Sequence, residues 1–137
     1  MQKTTRALRF AVPALALCLL APHAAHADPV SDMLRALPAS VQAVSRVPGP
    51  ENKDVTFFIV REDKRDRLFL AKGGDSLVEI AEAAETGGRV SGLRSEMDDL
   101  GLAAFVDFRD GNGEETTFEL FLEGDDPEAY IFRPASN

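Results

Sequence analysis

The chain has 137 residues, with 15 basic and 23 acidic side chains and a formal net charge of −8. Its one cysteine and both histidines lie within the first 26 residues, and it contains no tryptophan. Residues 28–137 therefore exclude a disulfide, a histidine-based catalytic group, and the usual ligands of zinc, copper and haem.

The first 27 residues have the three-part layout of a cleavable secretion signal. Three basic residues and no acidic one precede an apolar run over residues 10–21, which is shorter than the ~20 residues that a membrane-spanning helix needs. Ala25 and Ala27 supply the small side chains that signal peptidase requires. We predict cleavage after Ala27 and export of the remaining chain to the periplasm or the medium.

The segment that remains after cleavage, residues 28–137, is strongly acidic. It keeps 12 basic against 23 acidic residues, a net charge of −11, and its length suits one domain. This charge disfavours nucleic acids and anionic membrane surfaces, and it favours a basic protein partner. We predict no cofactor and no stable membrane insertion after cleavage.

The N-terminal part of this segment is predicted to be helical. Apolar residues recur at helical spacing over residues 30–37, and Pro38 ends or kinks that helix. A proline–glycine–proline break at residues 48–50 separates an N-terminal helical segment, residues 28–47, from an α+β domain, residues 51–137. We expect the two parts to pack together as one unit.

A first β-hairpin is predicted from two apolar runs, residues 55–60 and 68–71, on either side of a charged stretch. A four-residue loop over residues 63–66 would pair Glu62 with Arg67 and would set apolar residues opposite apolar residues along both strands. Because both faces of this hairpin are apolar, we expect it to lie in the middle of a sheet.

Helical structure is predicted next. A stripe of apolar residues favours a helix over residues 76–85, in which Ser76 and Glu79 form a capping box, and residues 95–100 favour one more helical turn. Residues 74–77 also resemble the nucleophile block of the GDSL hydrolases. That family needs a histidine near the C-terminus, and this chain has none after residue 26, so we interpret Ser76 as a helix cap.

A second hairpin is predicted in the C-terminal third. The alternating apolar side chains of residues 102–108 and 118–122 share one face if a three-residue loop, residues 111–113, joins the strands. The second glycine of this loop would then be left-handed, and Arg109 would lie opposite Glu115. With a last strand around residue 131, the order of elements indicates an α+β fold, an antiparallel sheet of about five strands with helices packed on one face.

Two kinds of acidic cluster are weak candidates for chemistry. Residues 110–115 begin like a calcium-binding loop but lack its glycine at the sixth position and its glutamate at the twelfth. The adjacent pairs at 98–99, 114–115 and 125–126 fall in polar turns or helix ends, where solvent keeps carboxylates from acting as acids at neutral pH. We therefore predict no metal site and no catalytic residue.

One face of the C-terminal hairpin is unusual. Phe105 and Phe121 point outward in the predicted register, among charged residues that include Asp107 and Glu119. Such a face is either covered by a helix or exposed as a binding patch. Because an aromatic centre with an acidic rim suits a basic protein, these four residues are the predicted binding residues.

These features favour an exported, non-enzymatic domain that binds another protein as an inhibitor, an adaptor or an accessory factor. Two alternatives remain open. A domain that binds a small apolar or cationic molecule would need a deep pocket between sheet and helices. A carboxylate-based hydrolase would need two convergent buried carboxylates ~5–9 Å apart.

Overall fold

The computed structural model describes residues 28–50, 54–74, 76–97, 99–124 and 126–136, so the predicted signal lies outside the described residues. These residues form two helices and eight strands. The helices are α1 (Pro29–Ala36) and α2 (Ala81–Glu85), and the strands are β1 (Ala43–Pro48), β2 (Val55–Arg61), β3 (Asp66–Lys72), β4 (Ser76–Ile80), β5 (Arg89–Met97), β6 (Leu102–Arg109), β7 (Glu115–Leu122) and β8 (Tyr130–Pro134).

The strands form two four-stranded antiparallel sheets, each in strict chain order: β1-β2-β3-β4 and β5-β6-β7-β8. The α2 helix lies between the sheets along the chain. The predicted α+β fold with one sheet of about five strands is therefore wrong. The inward side chains of the two sheets share one core, so the inner face of each sheet is covered by the other sheet.

The core alternates along the strands as two packed sheets require. The first sheet contributes every second residue of β2 and β3, and the second sheet does the same from β6 and β7. Three phenylalanines close one side of this core, where the rings of Phe118 and Phe132 stack at 5.0 Å and Phe108 meets both edge-on. Ala83 of α2 joins the same cluster.

A second, smaller cluster covers the outer face of the first sheet. Phe58, Val60, Phe69 and Ala71 point away from the main core and pack against Val30, Met33 and Leu37 from α1 and the residues that follow it. The helix begins at an N-cap aspartate, because Asp28 Oδ1 accepts a 3.0 Å hydrogen bond from the Ser31 amide. The predicted N-terminal helical segment, residues 28–47, is helical only over α1, since residues 43–48 form an edge strand of the first sheet.

The predicted helix over residues 76–85 is correct only for α2 (Ala81–Glu85), and the helical turn predicted over residues 95–100 is wrong for residues 95–97. Residues 76–80 form β4 because their apolar side chains serve both faces of the sheet: Leu77 contacts the outer cluster and Ile80 the main core. Ser76 opens this strand and is not a helix cap, and Glu79 is held by Arg67. Residues 95–97 continue β5, which pairs along its length with β6.

The register of the first predicted hairpin is wrong, and that of the second is confirmed. The first is shifted by two residues: Val60 pairs with Arg67 and Arg61 with Asp66, so the loop is 62–65. The second is confirmed, since Arg109 lies opposite Glu115. Its loop glycine at residue 113 has a left-handed φ of 87°, and the amide of Asp110 donates to the carbonyl of residue 114 at 3.0 Å.

Candidate functional site

All four predicted binding residues lie on the outer face of the second sheet. Every inward position of β6 is buried, as are Leu120 and Leu122 of β7, and the intervening positions are partly or fully exposed. The register sets Phe105 opposite Glu119, and it sets Ala103 opposite Phe121. We call this surface the open face; its residues are Arg94, Glu96, Ala103, Phe105, Asp107, Thr117, Glu119, Phe121, Ile131 and Arg133.

The open face has no covering helix among the described residues. Helix α1 packs on the outer face of the first sheet, whereas α2 contacts β3, the main core through Ala83, and Tyr130 of β8, which packs against the same core. Phe105 and Phe121 are partly exposed, and Ile131, which pairs with Phe121 from β8, is 45% exposed. Of the two alternatives, a face covered by a helix and an exposed face, the structure therefore shows the exposed one. Its apolar side chains form a partly exposed strip across three strands, made of Ala103, Phe121 and Ile131.

Two carboxylates of the open face, Asp107 and Glu119, already have partners within the chain. Asp107 accepts hydrogen bonds from Arg94 at 2.7 Å and from the Thr117 hydroxyl at 2.6 Å. Glu119 accepts one from Arg133 at 2.9 Å. Neither arginine is among the binding residues predicted from the sequence. Arg94 lies just before the residues interpreted as a helical turn, whereas alternation along a β5 strand would have placed its side chain beside Phe105.

Arg94 also contacts an aromatic ring. Its guanidinium carbon lies 5.3 Å from the centre of the Phe105 ring, within the distance at which a cation is attracted to the face of an aromatic ring. Two carboxylates beside the strip, one opposite Ala103 and one two residues after Phe121, differ from Asp107 and Glu119. Glu96 and Glu123 are exposed and form no ion pair with any residue in the described ranges. They supply the uncompensated negative charge.

The cavities of the described chain are small and open to solvent. One of about 230 Å³ lies at the end of the two sheets, where Val55, Leu102 and Leu122 form its floor and the 79%-exposed Leu100 stands at its mouth. Others are about 180 to 310 Å³. Ligand pockets usually measure roughly 300–1,000 Å³ and bury most of the ligand, so these cavities give weak support to a small-molecule site.

The acidic motifs have structural explanations. In the loop after β6, the Asp110 carboxylate accepts hydrogen bonds from the amides of Asn112 and Glu114 at 2.8 and 2.9 Å. These bonds hold the pKa of Asp110 below its ordinary value, and the bond from the Glu114 amide has the largest effect. No cluster of three or more metal-binding side chains occurs in the described ranges.

A carboxylate-based hydrolase also finds little support. Asp66 is the one buried charged side chain in the described part of the chain, and it is neutralised by Arg61 at 2.8 Å. The pair of buried carboxylates that this alternative requires is thus absent from those residues. Ser76 lies opposite Lys72 at the start of β4, at the edge of the first sheet.

Comparison with known protein families, with curated proteins and with solved structures finds no match to this chain. Among the residues that the structure describes, neither helix is long and apolar enough to cross a membrane.

Proposed function

We propose that this chain is an exported, non-enzymatic protein that binds a basic partner protein through the open face. The observation that carries the proposal is the unequal covering of the two sheets. On the first sheet, Phe58 and Phe69 are only 6% and 5% exposed beneath α1 and its neighbouring residues. On the second, Phe105 and Phe121 have no such cover among the described residues.

The shape of the open face supports a protein partner. Its apolar strip is spread across three antiparallel strands and is not folded into a pocket. Apolar and aromatic side chains surrounded by charged groups are typical of the centre and rim of a protein interface. A rigid sheet also presents these side chains without a large loss of backbone freedom on binding.

The charge supports a basic partner. The predicted exported segment has a net charge of −11, and Glu96 and Glu123 on or beside the open face lack ion-pair partners among the described residues. Complementary charge accelerates association and disfavours partners of the same sign. Two copies of this acidic chain would repel each other, so a second copy is the less suitable occupant.

The test is affinity capture with the full-length chain carrying a C-terminal tag, expressed so that its host exports it. Periplasmic and secreted fractions are passed over it at low salt. The face variants are Phe105→Ala/Phe121→Ala and Ile131→Glu, and the control is Leu34→Ala/Leu100→Ala, which truncates two exposed leucines outside the open face. Circular dichroism checks that each variant is folded.

We expect a basic protein to be captured by the unmodified chain and the leucine control, released by salt, and lost from both face variants. Capture that survives both face variants contradicts the proposal. Absence of any capture also contradicts it and favours a small molecule, for which the cleft beside Leu100 is the place to search. The intact mass of the exported protein tests the signal, since we expect its first residue to be Asp28.

A further inference from the structure

Cations lie over most of the outward-facing aromatic rings of this molecule. In the described part of the chain, four phenylalanines point outward from the two sheets: Phe58, Phe69, Phe105 and Phe121. Three of them have an arginine guanidinium 5.0 to 5.8 Å from the ring centre, namely Arg46, Arg67 and Arg94 respectively. Phe121 has no such contact with any described residue.

The ring of Phe105 already has a cation over it, supplied by the chain itself. Arg94 reaches across from the neighbouring strand, lies over the ring, and donates to Asp107 at 2.7 Å. Asp107 is two residues along β6 and therefore on the same face of the sheet. The guanidinium thus meets an aromatic face and a carboxylate at once, and both contacts favour a cation.

Phe121 is likewise an aromatic ring with a carboxylate two residues later in the chain, but no cation of the described residues contacts its ring. Glu123 follows Phe121 by two residues, just after β7, and its amide donates to the Ala129 carbonyl at 3.3 Å, which continues the pairing of Leu122 with Tyr130 by one residue. The Glu123 carboxylate is exposed and has no ion pair with a described residue. On either side of the ring lie Ala103 and Ile131, its cross-strand neighbours. These apolar groups suit the methylene stem of a long basic side chain.

We infer that Phe121 and Glu123 receive an arginine or lysine side chain of the partner, an inference that rests on the proposed function. The incoming cation takes the place over Phe121 that Arg94 takes over Phe105. Arginine is the better occupant because its planar guanidinium stacks on a ring and binds a carboxylate through two donors, whereas the lysine ammonium is a compact point charge.

The experiment uses the exported protein and three acetylated, amidated hexapeptides that differ only in carrying two arginines, two lysines or two glutamines. Binding is measured by NMR chemical-shift titration at low salt. Phe121→Leu keeps an apolar side chain but removes the ring, and Glu123→Gln removes the charge. Leu34→Ala is the control, since it truncates an exposed apolar side chain on α1, outside the open face.

We expect the arginine peptide to bind more tightly than the lysine peptide and the glutamine peptide not to bind. Its shifts should centre on Phe121 and Glu123, and Phe121→Leu should weaken it about two- to fivefold, the effect of an exposed cation–aromatic contact. Equal affinity for Phe121→Leu and the unmodified chain, or shifts centred elsewhere, overturns the inference.

The two proposals fail separately. Where Ile131→Glu abolishes partner capture but Phe121→Leu changes neither capture nor peptide binding, the cation site is wrong and the protein-binding function stands. Where both face variants still capture the partner, the proposed function is wrong, even if the arginine peptide binds at Phe121.

Discussion

Arg61 and Asp66 form the last residue pair of the β2–β3 hairpin, and the Asp66 side chain has no exposed surface. Arg61 donates to the two carboxylate oxygens from Nε at 3.1 Å and from Nη2 at 2.8 Å. The same carboxylate accepts the amide of Val90 in β5 at 2.9 Å. One buried aspartate of the first sheet therefore holds a strand of the second sheet.

Replacing this aspartate should destabilise the fold strongly. Asp66→Asn removes the charge that Arg61 needs and puts donor hydrogens where an acceptor is required, so we expect a loss of about 2–4 kcal/mol in the free energy of unfolding. The control is Asp32→Asn, whose ion pair with Arg35 is 60% and 71% exposed and should cost about 0.5 kcal/mol or less. Urea unfolding followed by circular dichroism measures both; similar losses would contradict the role of Asp66.

Asp66 also shows where sequence reasoning reaches its limit. The loop 111–113 was predicted because its turn chemistry, its glycine and the Arg109–Glu115 pair are all local in sequence. Asp66 falls in the loop of the predicted register, which pairs Glu62 with Arg67 and apolar residues with one another. In the structure the Asp66 carboxylate instead pairs with Arg61 and accepts the backbone amide of a strand 24 residues away. Cross-strand pairing within the hairpin alone therefore predicts a register that is wrong by two residues.

The same limit applies to the second sheet and the open face. Strict alternation along β6 and β7 was enough to place Phe105 and Phe121 on one face. Ser76 and Glu79 match a capping box, but Arg67 of the neighbouring strand β3 binds Glu79, and Leu77 and Ile80 are needed on opposite sides of a sheet. The local sequence of residues 76–80 is compatible with a helix or a strand, and tertiary contacts favour the strand.

Glu79 should contribute to the acid sensitivity of the protein. Arg67 donates two 2.7 Å hydrogen bonds to this carboxylate, and they lower the pKa of Glu79 from its ordinary value of 4.5. The stability that follows from a lowered pKa is present above pH 4.5 and is lost as the pH falls through the folded-state value. Glu79→Gln should therefore lower stability at neutral pH and flatten its decrease in acid. Urea unfolding at several pH values measures this; an unchanged slope would contradict it.

The second hairpin offers a matched test of backbone strain. Gly113 has a φ of 87°, whereas Gly111 in the same loop has no left-handed φ, and a Cβ at either position would meet no atom within 4 Å. Gly113→Ala should cost about 1–2 kcal/mol because an L-residue is strained in that conformation. Gly111→Ala should change the free energy of unfolding by less than this. Thermal or urea unfolding of the two variants tests it, and equal losses would contradict the loop conformation.

Tyr130 should report directly on the contact between the second sheet and α2. It is the chain's one tyrosine and there is no tryptophan, so its phenolate absorbance can be followed without interference. Burial, and next the 2.8 Å hydrogen bond that its hydroxyl donates to Glu82, raise the pKa of Tyr130 from 10.0 to about 12.

A raised pKa gives stability that is complete below pH 10 and is lost as the pH rises through about 12, because the folded state disfavours the phenolate. Spectrophotometric titration should therefore give a value near 12 for the folded chain and near 10 in urea. Glu82→Gln should lower the folded value only part of the way, since burial, the larger cause, remains. A folded-state value near 10 would show that Tyr130 is solvated and that β8 is not held against α2 by this bond.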